Sequence, residues 1–296
     1  MTLILLIMLI LSWNVNGLRD IHKLDHVLQT VQSSHAHITF LQETFWDDNF
    51  INNFKHKWPG KIFFSNCQSS NRKGVAILFS PSFSYDINFE KSDDKGRLLK
   101  VSFNIDNEVY SCINVYAPND VSERIDFYKE FISYMSGDHI IAPGDFNEML
   151  DPFLDRNVNI KTFNVGSSNV LCNIISDHNL CDIWRYRNPD RREFTRSQIV
   201  DGVCKQTRID FTLISKSLIP YATHAYIQYT SLSDHSINFV KFDFSKVERG
   251  PGMWVINNKI LSDSIYSNAI TDLINDNLSC PLFVRSEERR VGKECR

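Results

Sequence analysis

Three features of this 296-residue chain predict an α/β fold of two β-sheets packed face to face with helices outside. Strand-like and helix-like apolar patterns alternate at first, strand patterns then dominate, and helices recur between strands in both halves. The composition can fill such a fold, because 43% of residues are hydrophobic and 12% aromatic, ample for one large core. No internal repeat or low-complexity tract competes with a single domain of about 240 residues, at the upper end of single-domain size.

The chain opens on an apolar run, Leu3 to Leu11. That run is far short of the ~20 residues a membrane span needs, and neither a basic region before it nor a small-residue cleavage site after it marks a signal peptide. A long buried strand is predicted instead. Leu18, Ile21, Leu24, Leu28 and Val31 then recur at spacings of three and four, which predicts an amphipathic helix with those residues inward. ITFLQET follows as a buried strand ending on Gln42 and Glu43. KIFFSN, GVAILFS, LLKVSFNI and VYSCINVYAP are predicted strands, rich in Val, Ile, Phe and Tyr and bounded by turn residues. Asp120 and Glu123 have capping-box spacing, so a helix starts at DVSE and turns Ile125, Tyr128, Phe131, Ile132 and Met135 inward. DHIIA runs as a strand into GDFN, Gly144 to Asn147, followed by a loop with DPFLDR and a helix near Asn169 to Ser176. EFTRSQ and RIDFTLIS are strands joined by a polar segment, and SLSDHSINFVKFDF closes the domain.

A net charge of -3 and a pI near 6.3 give no general pull toward nucleic acid or acidic lipid, so any nucleic-acid contact needs a local patch or bound cations. Seven cysteines, an odd number with no C-x-x-C pair, predict neither a zinc site nor a disulfide framework. The composition reads as that of an intracellular, reduced protein.

GDFN spends an apolar strand on delivering an Asp and an Asn to its end. Both are poor strand residues, and one such pair reads as a turn. The arrangement recurs, however: strand ends present Asn14 and Asn16, Glu43, Tyr116, Asp145 and Asn147, Asp210, and Asp234 with His235. Singly, each has an ordinary explanation as turn, solvated end or core. Together they mark a site, because strands of one scaffold fix positions that loops cannot. Phe194 to Arg208 further places Arg196, Lys205 and Arg208 on a hairpin whose Asp201-Gly202 turn can project into a DNA groove; an ordinary solvated hairpin accounts for it nearly as well.

In order and spacing, SWNVNGL, LQET, NVYAPN, GDFN, RIDFTLIS and SLSDHS resemble the endonuclease/exonuclease/phosphatase superfamily, and within it the endonuclease domain of LINE-type non-LTR retrotransposon proteins. The resemblance runs from about Leu9 to Phe244, and LDPFLDR and MWVINNKIL extend it. It implies a four-layered α/β sandwich, deoxyribonuclease-like, with the site at one edge of the paired sheets. It also implies an enzyme using Mg²⁺, or Mn²⁺ in its place, that nicks double-stranded DNA and exposes a 3′-hydroxyl for target-primed reverse transcription. By that likeness Glu43 is the main metal ligand, assisted by Asn14 or Asn16 through their amides or a water; some superfamily members carry Asp where Asn16 stands. Asp145 orients and deprotonates the attacking water, and Asn147 holds a phosphate oxygen. Asp210 fixes a charged His235 on the phosphate, Tyr116 adds a donor, and Asp234 supports the site or helps bind metal. Thr195 and Ser233 join Arg196, Lys205 and Arg208 as implied DNA contacts. An RNA template enters only through a missing reverse transcriptase region, no membrane is involved, and the site of action on chromosomal DNA is the nucleus. A phosphoesterase for a small or lipid phosphate, and a decayed copy without activity, are the competing readings.

These motifs place the domain at residues 1–248, with a boundary near RGPG, Arg249 to Gly252. Residues 249–284 read as a linker toward the reverse transcriptase. The last twelve residues, RSEERRVGKECR, break abruptly in composition and resemble translated sequencing-adapter DNA, so the fold is expected to exclude 285–296.

Overall fold

The computed structural model describes residues 7–246 except 48–49, 52–53, 68–71, 85, 106–107 and 158–164, and beyond 246 only positions 264, 268, 271 and 272. The chain divides into two compact units, Met1–Val247 and Glu248–Arg296. MWVINNKIL and RSEERRVGKECR, on which the linker and tail expectations rest, lie outside the described residues.

Two six-stranded sheets build the first unit. One runs β13 (Ala222–Gln228), β14 (Ile237–Asp243), β1 (Ile7–Asn14), β2 (Ile38–Gln42), β4 (Val75–Phe79) and β3 (Ile62–Ser65). The other runs β5 (Ile87–Ser92), β6 (Leu98–Ile105), β7 (Glu108–Tyr116), β8 (His139–Asp145), β12 (Asp210–Ser215) and β9 (Leu180–Asp182). A separate ribbon pairs β10 (Arg196–Val200) with β11 (Val203–Thr207). Each large sheet has one parallel pair, β1 with β2 and β7 with β8. A parallel pair needs a crossover, and helices α1 (Ile21–Ser33) and α2 (Val121–Ile132) supply them. Helix α3 (Val165–Asp177) and the short α4 (Ile183–Arg187) follow.

Alternation along the strands sorts side chains into three cores. Met8, Ile10 and Phe40 of one sheet meet Val101, Phe103 and Ile141 of the other in the layer between them. Leu11 and Trp13 point the opposite way, onto Leu24, Val27, Leu28 and Val31 of α1. Outside the second sheet, Ile113, Ala142 and Phe211 pack beneath Phe127, Tyr128 and Phe131 of α2 and Leu171 and Ile174 of α3. Three cores between helices, sheet, sheet and helices make the four-layered α/β sandwich that the motifs implied.

Some details differ from the sequence reading. Asp20 caps α1 by accepting from the Lys23 amide at 2.8 Å, which sets the phase so that Ile21 is 44% exposed and Val27 is buried in its stead. In α2, Phe127 takes the inward place expected of Ile125, and Ile132 is exposed. Strands β5, β9 and β13 and helix α4 carry no clear signal in the sequence: β5 and β13 are edge strands with mostly exposed or half-exposed residues, and β9 and α4 are too short to show a period.

Candidate active site

The C-terminal ends of both parallel pairs point to one place. Asn14 pairs with Gln42 across β1 and β2, Tyr116 pairs with Asp145 across β7 and β8, and Asp210 opens β12 directly opposite Asp145. Gly144 sets the spacing: a Cβ there would lie 1.9 Å from the Val115 carbonyl oxygen, so only glycine lets β7 and β8 close up. The chain then turns at Asn147, which adopts φ 49° and donates its amide to Asp145 Oδ1 at 2.9 Å.

Asp145 is buried, and Asn14 Nδ2 donates to its Oδ2 at 2.9 Å. Burial, and then the charge of Asp210, push its carboxyl up to about 7 against the opposing pull of His235, the Asn147 amide and Asn14. His235 is buried as well. Its Nδ1 donates to Asp210 Oδ2 at 2.9 Å, while Nε2 stands 3.9 Å from Asp145 Oδ2. Burial alone would lower the imidazole, but the charge and hydrogen bond of Asp210, then Asp145 and Asp234, outweigh it and raise His235 to about 9. At neutral pH the ring is therefore an imidazolium with its tautomer question removed.

Around this centre lies a rim of polar groups. The same Asn14 Nδ2 donates to Glu43 Oε1 at 2.9 Å, and the Tyr116 hydroxyl is hydrogen-bonded to Glu43. Burial, with the Glu43 and Asp145 charges, holds Tyr116 far above the ordinary phenol range, so it stays a neutral donor. Asn16 Nδ2 donates to Asp234 Oδ1 at 3.0 Å. Asn16, Glu43, Phe45 and Asn147 all adopt positive φ between 47° and 58°. Backbone torsions that cost energy gather at this rim, as they do where a site over-determines its geometry.

All nine strand-end residues singled out in the sequence thus converge. Three expectations need correction, those for Arg208, Thr195 and Asn14. Arg208 is not a DNA contact: it is 1% exposed, with Nε 2.7 Å from Asp155 and Nη1 2.6 Å from Asp182, because burial commits a guanidinium to carboxylates. Thr195 is fully buried, and its hydroxyl oxygen accepts the amides of Ile209 and Asp210, both at 3.1 Å, bracing Asp210 rather than facing substrate. Ser233 stays half-exposed at the rim, its hydroxyl donating to the Asn14 carbonyl at 2.8 Å and accepting the His235 amide. Asn14 shows the carboxylates its NH₂ while its Oδ1 accepts the Asn16 amide at 3.1 Å, so the oxygen a cation needs is turned away. Arg196 lies on β10 with Nε 3.3 Å from Asp234, and Lys205 is exposed on β11. The Asp201-Gly202 turn between them has φ 52° and 75°, the primed hairpin turn its sequence foretold.

Three groups were missed. Lys23 of α1 donates to the Asn16 carbonyl at 2.9 Å; burial lowers its ammonium against the raising charges of Asp234, Glu43 and Asp20. Arg97 stacks 4.9 Å over the Tyr116 ring and donates to its carbonyl. Glu148, buried beside Asn147, binds Arg124 at 3.0 Å and Ser167. An acid directly after GDFN was the available signal for Glu148; Lys23 and Arg97 had none, because only the fold brings them here.

Asp145, Asp210 and His235 place ligand atoms within 4.8 Å of one another, close enough to hold a metal ion. Carboxylate oxygens also gather at the rim, on Glu43 and Asp234, and hard oxygen donors of that kind fit a divalent cation.

Buried carboxylates around a charged imidazole, at the ends of paired sheets, belong to the chemistry of phosphoester cleavage. Residues 11–235 match the Endonuclease/Exonuclease/phosphatase family, and the chain belongs to it. Among individual proteins, it is 32% identical over 263 residues to the Transposon TX1 uncharacterized 149 kDa protein of Xenopus laevis. The match takes in 88% of this chain and 20% of that protein, so the chain spans about a fifth of its relative, and it agrees with the retrotransposon likeness of the motifs. AP endonuclease LMAP from Leishmania major superposes with a TM-score of 0.67 at 16% identity, over 80% of this chain and 88% of that one. An AP endonuclease from Archaeoglobus fulgidus gives 0.63 at 21% identity, over 80% and 99%. The Xenopus laevis APE2 catalytic domain gives 0.64 at 22%, over 80% and 92%. At these identities the three structures establish the fold.

Proposed function

We propose that this chain is a divalent-metal-dependent endonuclease that nicks double-stranded DNA by hydrolysis, exposing a 3′-hydroxyl from which reverse transcription is primed. The observation that carries the reading is His235: clamped by Asp210 on one nitrogen, it presents the other toward Asp145 across 3.9 Å. Asp145, raised to about 7, takes the proton of the attacking water as the water oxygen bonds to phosphorus and the bond from phosphorus to the 3′-oxygen breaks, that oxygen leaving with a proton from solvent. The imidazolium donates to a phosphate oxygen on which charge builds, Asn147, whose side-chain Nδ2 gives one hydrogen to the Ala117 carbonyl at 2.9 Å, turns the other to a second oxygen, and Tyr116 adds a neutral donor. Asn14 holds Asp145 and Glu43 at a fixed separation from one buried amide.

Glu43 is the principal residue to hold Mg²⁺ or Mn²⁺, with the Asn16 side-chain oxygen and Asp234 beside it. Bound there, the ion neutralises charge on the phosphoryl oxygens. Arg196 and Lys205 on the β10–β11 ribbon favour DNA as the substrate, since phosphate contacts steer register on a duplex. The resemblance to retrotransposon proteins and the transposon relative favour a place ahead of a reverse transcriptase, with residues 249–284 as the link, the RNA template handled by that neighbour, and chromosomal DNA in the nucleus as target. Residues 285–296 are then adapter-derived. Supercoiled plasmid incubated with the purified chain and Mg²⁺ should convert to the nicked circle, stop with EDTA and resume with Mg²⁺ or Mn²⁺. Intact plasmid beside rapid hydrolysis of a small phosphate ester would sink the DNA reading, and cleavage undiminished in chelator would sink the metal.

A further inference from the structure

Phe153 is 82% exposed, more than any other large apolar side chain among the described residues. Its turn, Asp151 to Asp155 within LDPFLDR, takes no part in the chemistry above. Exposure of an aromatic ring on a loose loop would mean little, but this turn is closed from four directions. Asp151 Oδ1 accepts the amides of Phe153 at 2.8 Å and Leu154 at 3.1 Å, the Asp155 amide donates to the Asp151 carbonyl, and Asp155 Oδ2 accepts the Asp151 amide. Beneath it, the fully buried Asp155 is gripped by Arg208 and Arg185, each at 2.7 Å. The ring stands on a fixed post.

The post is also joined to the ribbon that carries the candidate DNA contacts. Arg156 forms a bridge with Thr207, and the Asn157 side chain donates to the Cys204 carbonyl, so the segment lies along the free edge of β11. Its other end begins at Asn147 in the site. Arg192 donates to the Arg156 carbonyl, and exposed Lys205 lies on β11 between the Cys204 and Gln206 groups that Asn157 bonds, so cationic side chains attach to the segment just beyond Phe153. An aromatic face beside cations matches a base flanked by phosphates; the exposed Ile199 and Val203 of the ribbon would serve a protein partner instead, and the test below separates the two.

We infer that Phe153 is a stacking wedge that presses against the bases of the duplex at the site and opens a base step there, so that the bent strand follows the ribbon. The inference rests on the DNA-endonuclease reading. The full chain carrying Asp145→Asn, with Mg²⁺ and a 2-aminopurine-labelled duplex of a sequence the parent nicks, tests it. Phe153→Ala in that background should bind roughly 5- to 100-fold more weakly, leave the slope of affinity against salt unchanged, and abolish the fluorescence rise that reports unstacking. Phe153→Trp should restore binding, and Lys205→Ala should instead lower the salt slope. Unchanged affinity and fluorescence in Phe153→Ala, or a loss expressed wholly through the salt slope, would overturn the wedge while the parent still nicks. A change in oligomeric state in place of DNA affinity would overturn it in favour of a protein contact. A parent that neither binds nor nicks duplex DNA would overturn the proposed function, and the wedge with it.

Discussion

Arg208 and Asp210 are separated only by Ile209, yet they belong to buried charge clusters of different kinds. Around Arg208 the charges balance: Arg208 and Arg185 face Asp155 and Asp182, and the guanidinium is sandwiched by Trp184 at 5.1 Å and Phe211 at 4.7 Å. Burial would lower Arg208, but Asp182 and Asp155 more than offset it and hold the cation firmly charged. Around Asp210 the charges do not balance, because Asp145 and Asp210 share the one cation His235 and Asp145 is left raised. A closed cluster has nothing further to bind. An open one costs stability until a compensating cation arrives, and that imbalance sets the second cluster apart from a strut.

The comparison can be broken most severely at the strut. Arg208→Met leaves Asp155 and Asp182 without their main partner, and unfolding in urea should show a loss of about 3–5 kcal/mol, the usual cost of stranding buried charge. A variant as stable as the parent would make the cluster ornamental. At the site the expected outcome is reversed. Asp145→Asn should keep its fold by circular dichroism and lose about 100-fold or more of nicking rate, since an amide cannot take the water's proton. If the variant nicks at the parent rate, GDFN is a turn and no more. Adding His235→Ala should cost less than the product of the single losses, as both act on one transition state.

Proton linkage sharpens the contrast more gently. Without metal, Asp145 is raised from an ordinary 3.8 to about 7, so ionising it in the fold is unfavourable and stability falls as pH rises across that window. His235 is raised from 6.5 to about 9, so its stabilisation is complete below the lower value and lost as pH passes the upper. Both terms have the same sign, and melting in chelator should decline from pH 5 to about pH 9. Asp210→Asn removes a charge that raises both groups, and an NMR titration of His235 should move downward. A titration unmoved by Asp210→Asn would detach the pair. The smallest effect on rate belongs to the ribbon: exchanging Ile199 to Gln206 for a short Gly/Ser turn should change where a long duplex is cut more than how fast, and an unaltered pattern of nicks would remove the ribbon from target choice.

How far the sequence carried this picture depended on the range of the interactions involved. Period and turn chemistry are local, so α1, α2, the long strands and the Asp201-Gly202 turn could be read directly, as could the strand-end residues once their order was noticed. The corrections to Arg208 and Thr195 fell where a side chain's partner is distant in sequence. Arg208 meets Asp155 and Asp182, and Thr195 meets Asp210; no spacing rule separates a buried arginine from a hairpin arginine. Lys23 reaches the site only because α1 crosses between β1 and β2. Edge strands β5 and β13 were illegible for a different reason: one face of each is largely exposed, the other is only partly buried, and a bulge breaks the alternation of β13.

Gly144 gives the arrangement a gauge in the machinist's sense. Its missing methyl is the clearance by which β8 slides under the Val115 carbonyl, and Tyr116 and Asp145 are the next pair along the same two strands. An alanine codon at this position would therefore act as a shim, prising the phenol and the carboxylate apart while every catalytic letter of the gene stayed in place.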